Sequence, residues 1–240
     1  MSGHSKWSNI KRQKESTDKA KSKIFGKLAS LITLAVIGGG GVTNPDHNVK
    51  LRLALEKAKQ DNMPKDNIDR ALQKGSGPQK INLTEIRYEG YSHDGVALYM
   101  IATTDNSNRT AAEVKNVLER HGAKMASPGA VSYLFEHRGV VCLAKSENKE
   151  ADVLAMAEKI QASDIEVTDE QYIVYFPFSM LGKLTGEDFK LTFKSSPEST
   201  YKPVSTIAIS EGRMREKLDQ LITALVDLDD VHEVYVNAQG

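Results

Sequence analysis

A single cysteine, Cys142, among 240 residues rules out an intrachain disulfide and any zinc site built from several thiolates of one chain. That fits a reducing compartment. Cys142 lies in the apolar run Val140, Val141, Cys142, Leu143, the setting of a buried structural thiol. No apolar run approaches the ~20 residues needed to cross a bilayer. The longest, Leu28 to Ile37, follows a basic region too long for an ordinary secretory signal. Glu15 and Asp18 break the acid-poor pattern of a mitochondrial presequence, so the expected localisation is cytoplasmic. The six histidines (His4, His47, His93, His121, His137, His232) are scattered, none four residues from another, and nothing argues for a metal. No Gly-x-Ser-x-Gly elbow, Walker loop, His-Glu-x-x-His or dinucleotide fingerprint occurs, so neither a cofactor nor an enzyme activity is expected. Net charge is absent too, with 32 Lys and Arg against 32 Asp and Glu.

That zero is an average over two unlike parts. Residues 1–77 carry 15 Lys and Arg against 7 Asp and Glu, an excess of +8, and the rest, 17 against 25, stands at −8. Such a split focuses binding of an anionic partner on one part of the molecule. The densest basic stretch is Gly3 to Lys27, with eight cations (Lys6, Lys11, Arg12, Lys14, Lys19, Lys21, Lys23, Lys27), two anions and the one tryptophan, Trp7. Lys and Arg that neutralise phosphates release condensed counterions, so a nucleic acid is the natural ligand. Trp7 is expected either to stack on a base or to anchor in the core.

Apolar spacing divides the chain. Ile24, Leu28, Leu31 and Ala35 share one helical face, which Gly38 to Gly41 end. Asn44 before Pro45 predicts the cap of a second helix with Leu51, Ala54, Leu55 and Ala58 inside. Pro64 starts a third helix, with Ile68, Ala71 and Leu72 on its apolar face and Gly75 as its stop. Residues 1–79 thus form a small basic helical domain that ends in a linker at Gly75 to Pro78. Beyond it, period-2 patterns predict strands over 86–89, 96–104, 131–136, 140–144, 165–167, 172–176, 189–193 and 231–236. Helices are predicted after Thr110, which with Glu113 matches a capping box, around Val153 to Ile160, over 179–184, and after Ser210. The class is α+β.

A polar loop, Thr103 to Thr110, lies where a strand ends and a helix opens, a place where free backbone N–H groups favour an anion. Asp105, Asn106, Asn108, Arg109 and Thr110 are the candidates there. Arg109 has the fork of donors for a phosphate or for a carboxylate of a neighbouring domain. The alternative is a tight turn satisfied by its own Asp and Asn side chains. Asp229 and Asp230 read as turn caps.

The segments Gly3-His4-Ser5-Lys6-Trp7-Ser8-Asn9-Ile10-Lys11, Lys23 to Leu28, Asn62 to Ile68, Tyr88-Glu89-Gly90-Tyr91 and Thr104 to Thr110 resemble the YebC/PmpR family. The similarity runs from residue 2 to about Val141 and resumes over Leu221 to Ala238, while 177–209 depart from the family pattern. The resemblance implies a helical N-terminal domain and two α/β sandwich domains, the third inserted into the second. On this chain the boundaries are 1–79, then 80–136 with 203–240, then 137–202. It also implies a non-enzymatic regulator of gene expression that binds promoter DNA. Family members are described as ribosome-associated factors too, easing translation of proline-rich stretches, and mitochondrial relatives activate translation of cytochrome c oxidase.

The expected partner is therefore a nucleic acid, promoter DNA or ribosomal and transfer RNA, contacted by Lys6, Trp7, Lys11, Arg12, Lys14, Lys21, Lys23 and Lys27. Charge does not separate DNA from RNA. No helix carries Arg, Asn and Gln at base-reading spacing, which favours backbone or shape recognition. A protein-interaction scaffold with a merely solubilising basic arm is the reading from a different class, and a phosphate-directed enzyme at Asp105 to Arg109 is a third.

Overall fold

The computed structural model describes residues 18–77, 82–184, 189–210 and 212–239. Contacts within it divide into two compact units, one spanning Glu136–Lys202 and the other comprising the residues before and after it.

The larger unit begins with α1 (Asp18–Gly38), α2 (Val49–Gln60) and α3 (Lys65–Ser76). Leu28, Ile32, Ala35, Val36, Leu51, Ala58, Met63 and Ala71 close into one apolar cluster; Leu28, Ala35, Leu51, Ala58 and Ala71 lie on the faces that helical spacing had marked, whereas Leu31 is half-buried and outside it. Two details differ from expectation. Asn44 caps only a 3-10 turn, Pro45–His47, and α2 is capped by Asn48, whose Oδ1 accepts from the Leu51 N–H. The Asn48 side-chain amide also donates to the carbonyls of Ala35 and Val42, so one buried asparagine ties α1 to α2. Gly75 does not stop α3; it lies inside the helix, where a Cβ would stand 2.7 Å from Val36 Cβ and 2.9 Å from the Thr33 carbonyl oxygen. Its absent side chain allows α3 to press against α1. The turn between α2 and α3 uses Asn62 at φ 55, a left-handed position asparagine tolerates.

The sheet of this unit has the order β3-β1-β2-β9 and is antiparallel throughout: β1 is Thr84–Tyr91, β2 Ala97–Thr104, β3 Lys124–Ala126 and β9 Val231–Val236. Every residue of β2 is buried. Leu98, Met100 and Ala102 face α4 (Ser107–Arg120) and α6 (Arg213–Val226) through Val114, Leu118, Leu218 and Leu225. On the other face Tyr99 stacks on Phe135, 5.6 Å between ring centres, and Glu233, in register with Ile101, is reached by Lys57 of α2 at 3.4 Å. Covered on both faces, β2 has no polar side, and Thr103 and Thr104 are buried with it. Two short strands, β8 (Ile207–Ala208) and β10 (Ala238–Gln239), pair in parallel at its margin.

The predicted strand over 131–136 is instead a 3-10 turn, Ser132–Leu134. Glu89 explains it: its buried carboxylate accepts from the N–H groups of Gly129, Val131 and Ser132 at 2.8, 2.6 and 3.1 Å, which winds the segment around one acceptor.

The unit Glu136–Lys202 contains a second four-stranded sheet, order β5-β6-β4-β7, and α5 (Glu150–Lys159). Its strands are β4 (Phe135–Ala144), β5 (Asp164–Val167), β6 (Gln171–Pro177) and β7 (Glu198–Pro203). Gly139 does not separate two strands; β4 runs through it, because the ring of the paired Phe176 occupies the space a Cβ would need, 2.1 Å from Cε2. Lys202 of edge strand β7 pairs with Asp164 and Glu166 of the opposite edge, β5, passing 3.9 Å from the centre of the Tyr175 ring. The bond from Lys202 holds the Asp164 carboxyl below its ordinary pKa, against a smaller opposing effect of burial. Within 189–193 the pairing is a single bridge, Leu143 with Phe193, and β7 is the edge strand that alternation missed. The divergent region supplies Phe178 and Tyr201, which stack on His137 at 3.9 and 4.6 Å between ring centres.

Candidate nucleic-acid interface

Of the residues proposed to meet a nucleic acid, the cations Lys6, Lys11, Arg12 and Lys14 and the aromatic Trp7 lie outside the described residues. The others fall on the first turns of α1 and differ sharply in environment. Lys21 is exposed and Lys23 half-buried, 3.9 Å from the exposed carboxylate of Asp229. Lys27 corrects the expectation. It is 8% exposed, and its ammonium donates to the carbonyls of Val226 and of Val231, the latter at 2.6 Å. A cation with both its position and its donors committed to the interior is a structural anchor, not a phosphate contact. Its partners lie about 200 residues away in sequence, so no local pattern reveals this.

Four further lysines of the helical domain, Lys50, Lys59, Lys65 and Lys74, are exposed, as solvent-facing positions on α2 and α3 should be. The apolar periodicity of the two helices was the signal that could have placed them. Arg70, also exposed, is engaged locally by Asn67 and the Asp66 carbonyl.

The polar loop resolves into a capped helix start closed by a distant carboxylate. Asn106, not Thr110, caps α4: its Oδ1 accepts from the Arg109 N–H at 3.1 Å. Its own N–H is taken by the Thr104 hydroxyl. Thr110, fully buried in the first turn, donates its hydroxyl to Asp230 Oδ2 at 2.6 Å. Arg109 bridges Asp105 at 3.0 Å and Asp230 at 2.9 Å. Asn108 is exposed, while the Ser107 carbonyl accepts from the Tyr88 hydroxyl.

Electrostatics follow from this wiring. Burial pushes the Asp230 carboxyl up, but hydrogen bonds from Thr110, Arg109 and Thr104 outweigh it and leave the pKa below its ordinary 3.8. The hydrogen bond to Asp230 likewise raises the pKa of Arg109. Burial, with the Asp230 charge adding to it, raises that of Tyr88. Arg109 therefore commits one nitrogen, Nη2, to two carboxylates. Asp230, read from the sequence as a turn cap, is the residue that joins the start of β9 to the start of α4.

Among the described residues no group of three or more His, Cys, Asp or Glu could hold a metal ion, and no helix is long and apolar enough to cross a membrane.

Two family models cover nearly the whole chain: the TACO1/YebC protein N-terminal domain over residues 5–78, and the TACO1/YebC second and third domain over 83–238. The chain belongs to the TACO1/YebC family. The junction between the two matches coincides with the change from helical to mixed structure. Among curated relatives, a protein of Aquifex aeolicus is 39% identical over 239 residues, covering 99% of this chain and 95% of the relative. Relatives from Fervidobacterium nodosum and Geobacillus thermodenitrificans are each 42% identical, with 99% of this chain covered and 93% and 96% of theirs. Each of the three is named a probable transcriptional regulatory protein. A crystal structure of a conserved hypothetical protein from Aquifex aeolicus superposes with a TM-score of 0.81 at 37% identity, covering 92% of this chain and 91% of that one. The TACO1/YebC fold is thus shared along essentially the full length.

Proposed function

We propose that the chain is a non-enzymatic, DNA-binding regulator of transcription that grips the phosphate backbone through its N-terminal helical domain. The observation that supports this most is the charge split: the +8 of residues 1–77 coincides with the segment matched by the N-terminal family domain. Lys6, Lys11, Arg12, Lys14, Lys21 and Lys23 contact phosphates, and Trp7 stacks on a base or anchors the arm. Lys50, Lys59, Lys65 and Lys74 enlarge the field. The names of the curated relatives agree with a role in transcription.

The test is binding to a fluorescein-labelled duplex as a function of salt. Six phosphate contacts on B-DNA, at a slope of about −0.9 each, correspond to a loss of about 10³-fold in affinity between 50 and 200 mM salt. Affinity independent of salt would overturn the reading. Crosslinking in cells fixes the ligand: cargo dominated by ribosomal and transfer RNA would replace promoter DNA by the ribosome. Replacing Lys11, Arg12, Lys14, Lys21 and Lys23 by Glu abolishes function if the arm binds nucleic acid, and leaves partner capture intact if the protein is only a scaffold.

A further inference from the structure

In a chain whose residues are 27% charged, three segments carry no Lys, Arg, Asp, Glu or His at all: 126–135, 203–210 and 234–239. The larger unit brings them together. The Val204 N–H donates to the Leu134 carbonyl at 2.9 Å, those of Ile207 and Ile209 donate to the carbonyls of Asn237 and Gln239, and the Thr206 hydroxyl reaches the Gln239 side chain at 2.7 Å. The surface they share leaves Tyr133 70%, Val204 54% and Ile207 37% exposed, beside exposed Ser205, Thr206 and Ala208. Solvent-facing positions ordinarily carry charge, whereas an exposed aromatic and aliphatic patch without charge has the composition of an interface centre. With no cation in these segments, the patch has nothing for a phosphate.

Its backbone is open as well. Among the described residues β8 pairs only with β10, on one side. Ile207 and Ile209 spend their N–H groups on that side, so the alternation of an extended chain turns the N–H and C=O of Thr206 and Ala208 outward. Exposed edges of this kind are usually blunted by a Lys, a Pro or a bulge, and 204–210 contain no Lys and no Pro. We propose that a second copy of the chain docks on this edge, its β8 pairing antiparallel with β8 about a two-fold axis to give the order β10-β8-β8-β10. A two-fold sets the same patch against itself. A patch of either charge would repel its own copy; this neutral one does not, and its outward donors and acceptors match one another when the strand is reversed. Thr206 then exchanges hydrogen bonds with Ala208 of the second copy, and Ile207 meets its own counterpart as the close, non-hydrogen-bonded pair, with Cα atoms about 4.5 Å apart. Tyr133 and Val204 add the apolar flank. The inference is independent of the nucleic-acid reading.

Sedimentation velocity of the full chain, from about 1 μM to about 1 mM, is the test. The mass is expected to rise with concentration from 26.4 kDa towards twice that value. Ala208→Pro removes an outward donor and no bond to β10, and Ile207→Lys places two like charges at the axis. Each variant, checked for folding by circular dichroism, is expected to weaken association at least tenfold. Should Ala208→Pro not fold, Ile207→Lys, at an exposed position, carries the test. A separation of about 4.5 Å lies within the range a disulfide spans, so Ile207→Cys in a Cys142→Ala background should link two copies under mild oxidation. Leu154→Cys in the same background, exposed on the other unit, should not. Wild-type protein that stays at the monomer mass throughout, a dimer undiminished in folded Ile207→Lys, or Ile207→Cys that links no faster than Leu154→Cys, would each overturn the inference.

Discussion

Asp230 offers the sharpest test of the wiring at the start of α4. Its side chain is 17% exposed and receives the hydroxyl of a fully buried threonine at 2.6 Å, a charge-assisted bond in a place water reaches poorly. Removing such a bond costs about 1.5–3 kcal/mol. Thr110 keeps the Thr104 hydroxyl at 2.9 Å and the Asn106 carbonyl at 3.1 Å as substitutes, so Asp230→Ala should fall in the lower half of that range. Arg109 adds little, because its exposed guanidinium is screened by solvent and retains Asp105. Urea unfolding followed by circular dichroism measures the difference at neutral pH. The sign with pH follows from the depressed pKa. A carboxyl that titrates at 3.8 when unfolded and lower when folded contributes its stability fully above that value and loses it as pH falls through the folded pKa. Asp230→Asn, which cannot ionise, should therefore differ from wild type by a constant amount from pH 7 to about 5 and converge on it as the pH drops below about 4. Equal midpoints at pH 7, or a gap that persists undiminished in acid, would refute the account.

Two further substitutions probe the fold that holds the site. Gly139→Ala drives a methyl into the buried Phe176 ring, whose Cε2 lies 2.1 Å from the new atom, and should cost about 1–3 kcal/mol in equilibrium unfolding; wild-type stability would show that β4 and β6 have room to part. Glu89→Gln replaces a carboxylate that serves three N–H groups with one carbonyl and an amide donor, a loss of about 1–3 kcal/mol. Hydrogen exchange at Gly129, Val131 and Ser132 should accelerate, and unchanged protection there would remove Glu89 as organiser of the turn.

The helices and their buried faces were legible because burial imposes its period on the residues themselves: Leu28, Ala35, Leu51, Ala58 and Ala71 are core by periodicity and by packing alike. Caps were less legible. Asn44, Asn48, Asn106 and Thr110 all have the chemistry of a cap, and only backbone geometry chooses among them, giving α2 to Asn48 and α4 to Asn106. Strand β2 was visible as an apolar run, but that both its faces are covered depends on helices elsewhere in the chain.

Glycine shows the same division. Gly75 and Gly139 read locally as punctuation, yet each is a point of close approach, its meaning set by Val36 and Phe176. The sequence by itself determined the basic front, the acidic remainder, the α+β class and the residues that carry the family likeness, since charge and periodicity are properties of neighbouring residues. Tertiary structure alone decided that Lys27 is buried under the α6–β9 turn while Lys21 stays exposed, and that Arg109 answers to Asp230 across 121 positions. The reason is physical: what a charge does depends on which groups replace its water, and those groups arrive from distant parts of the chain only when it folds.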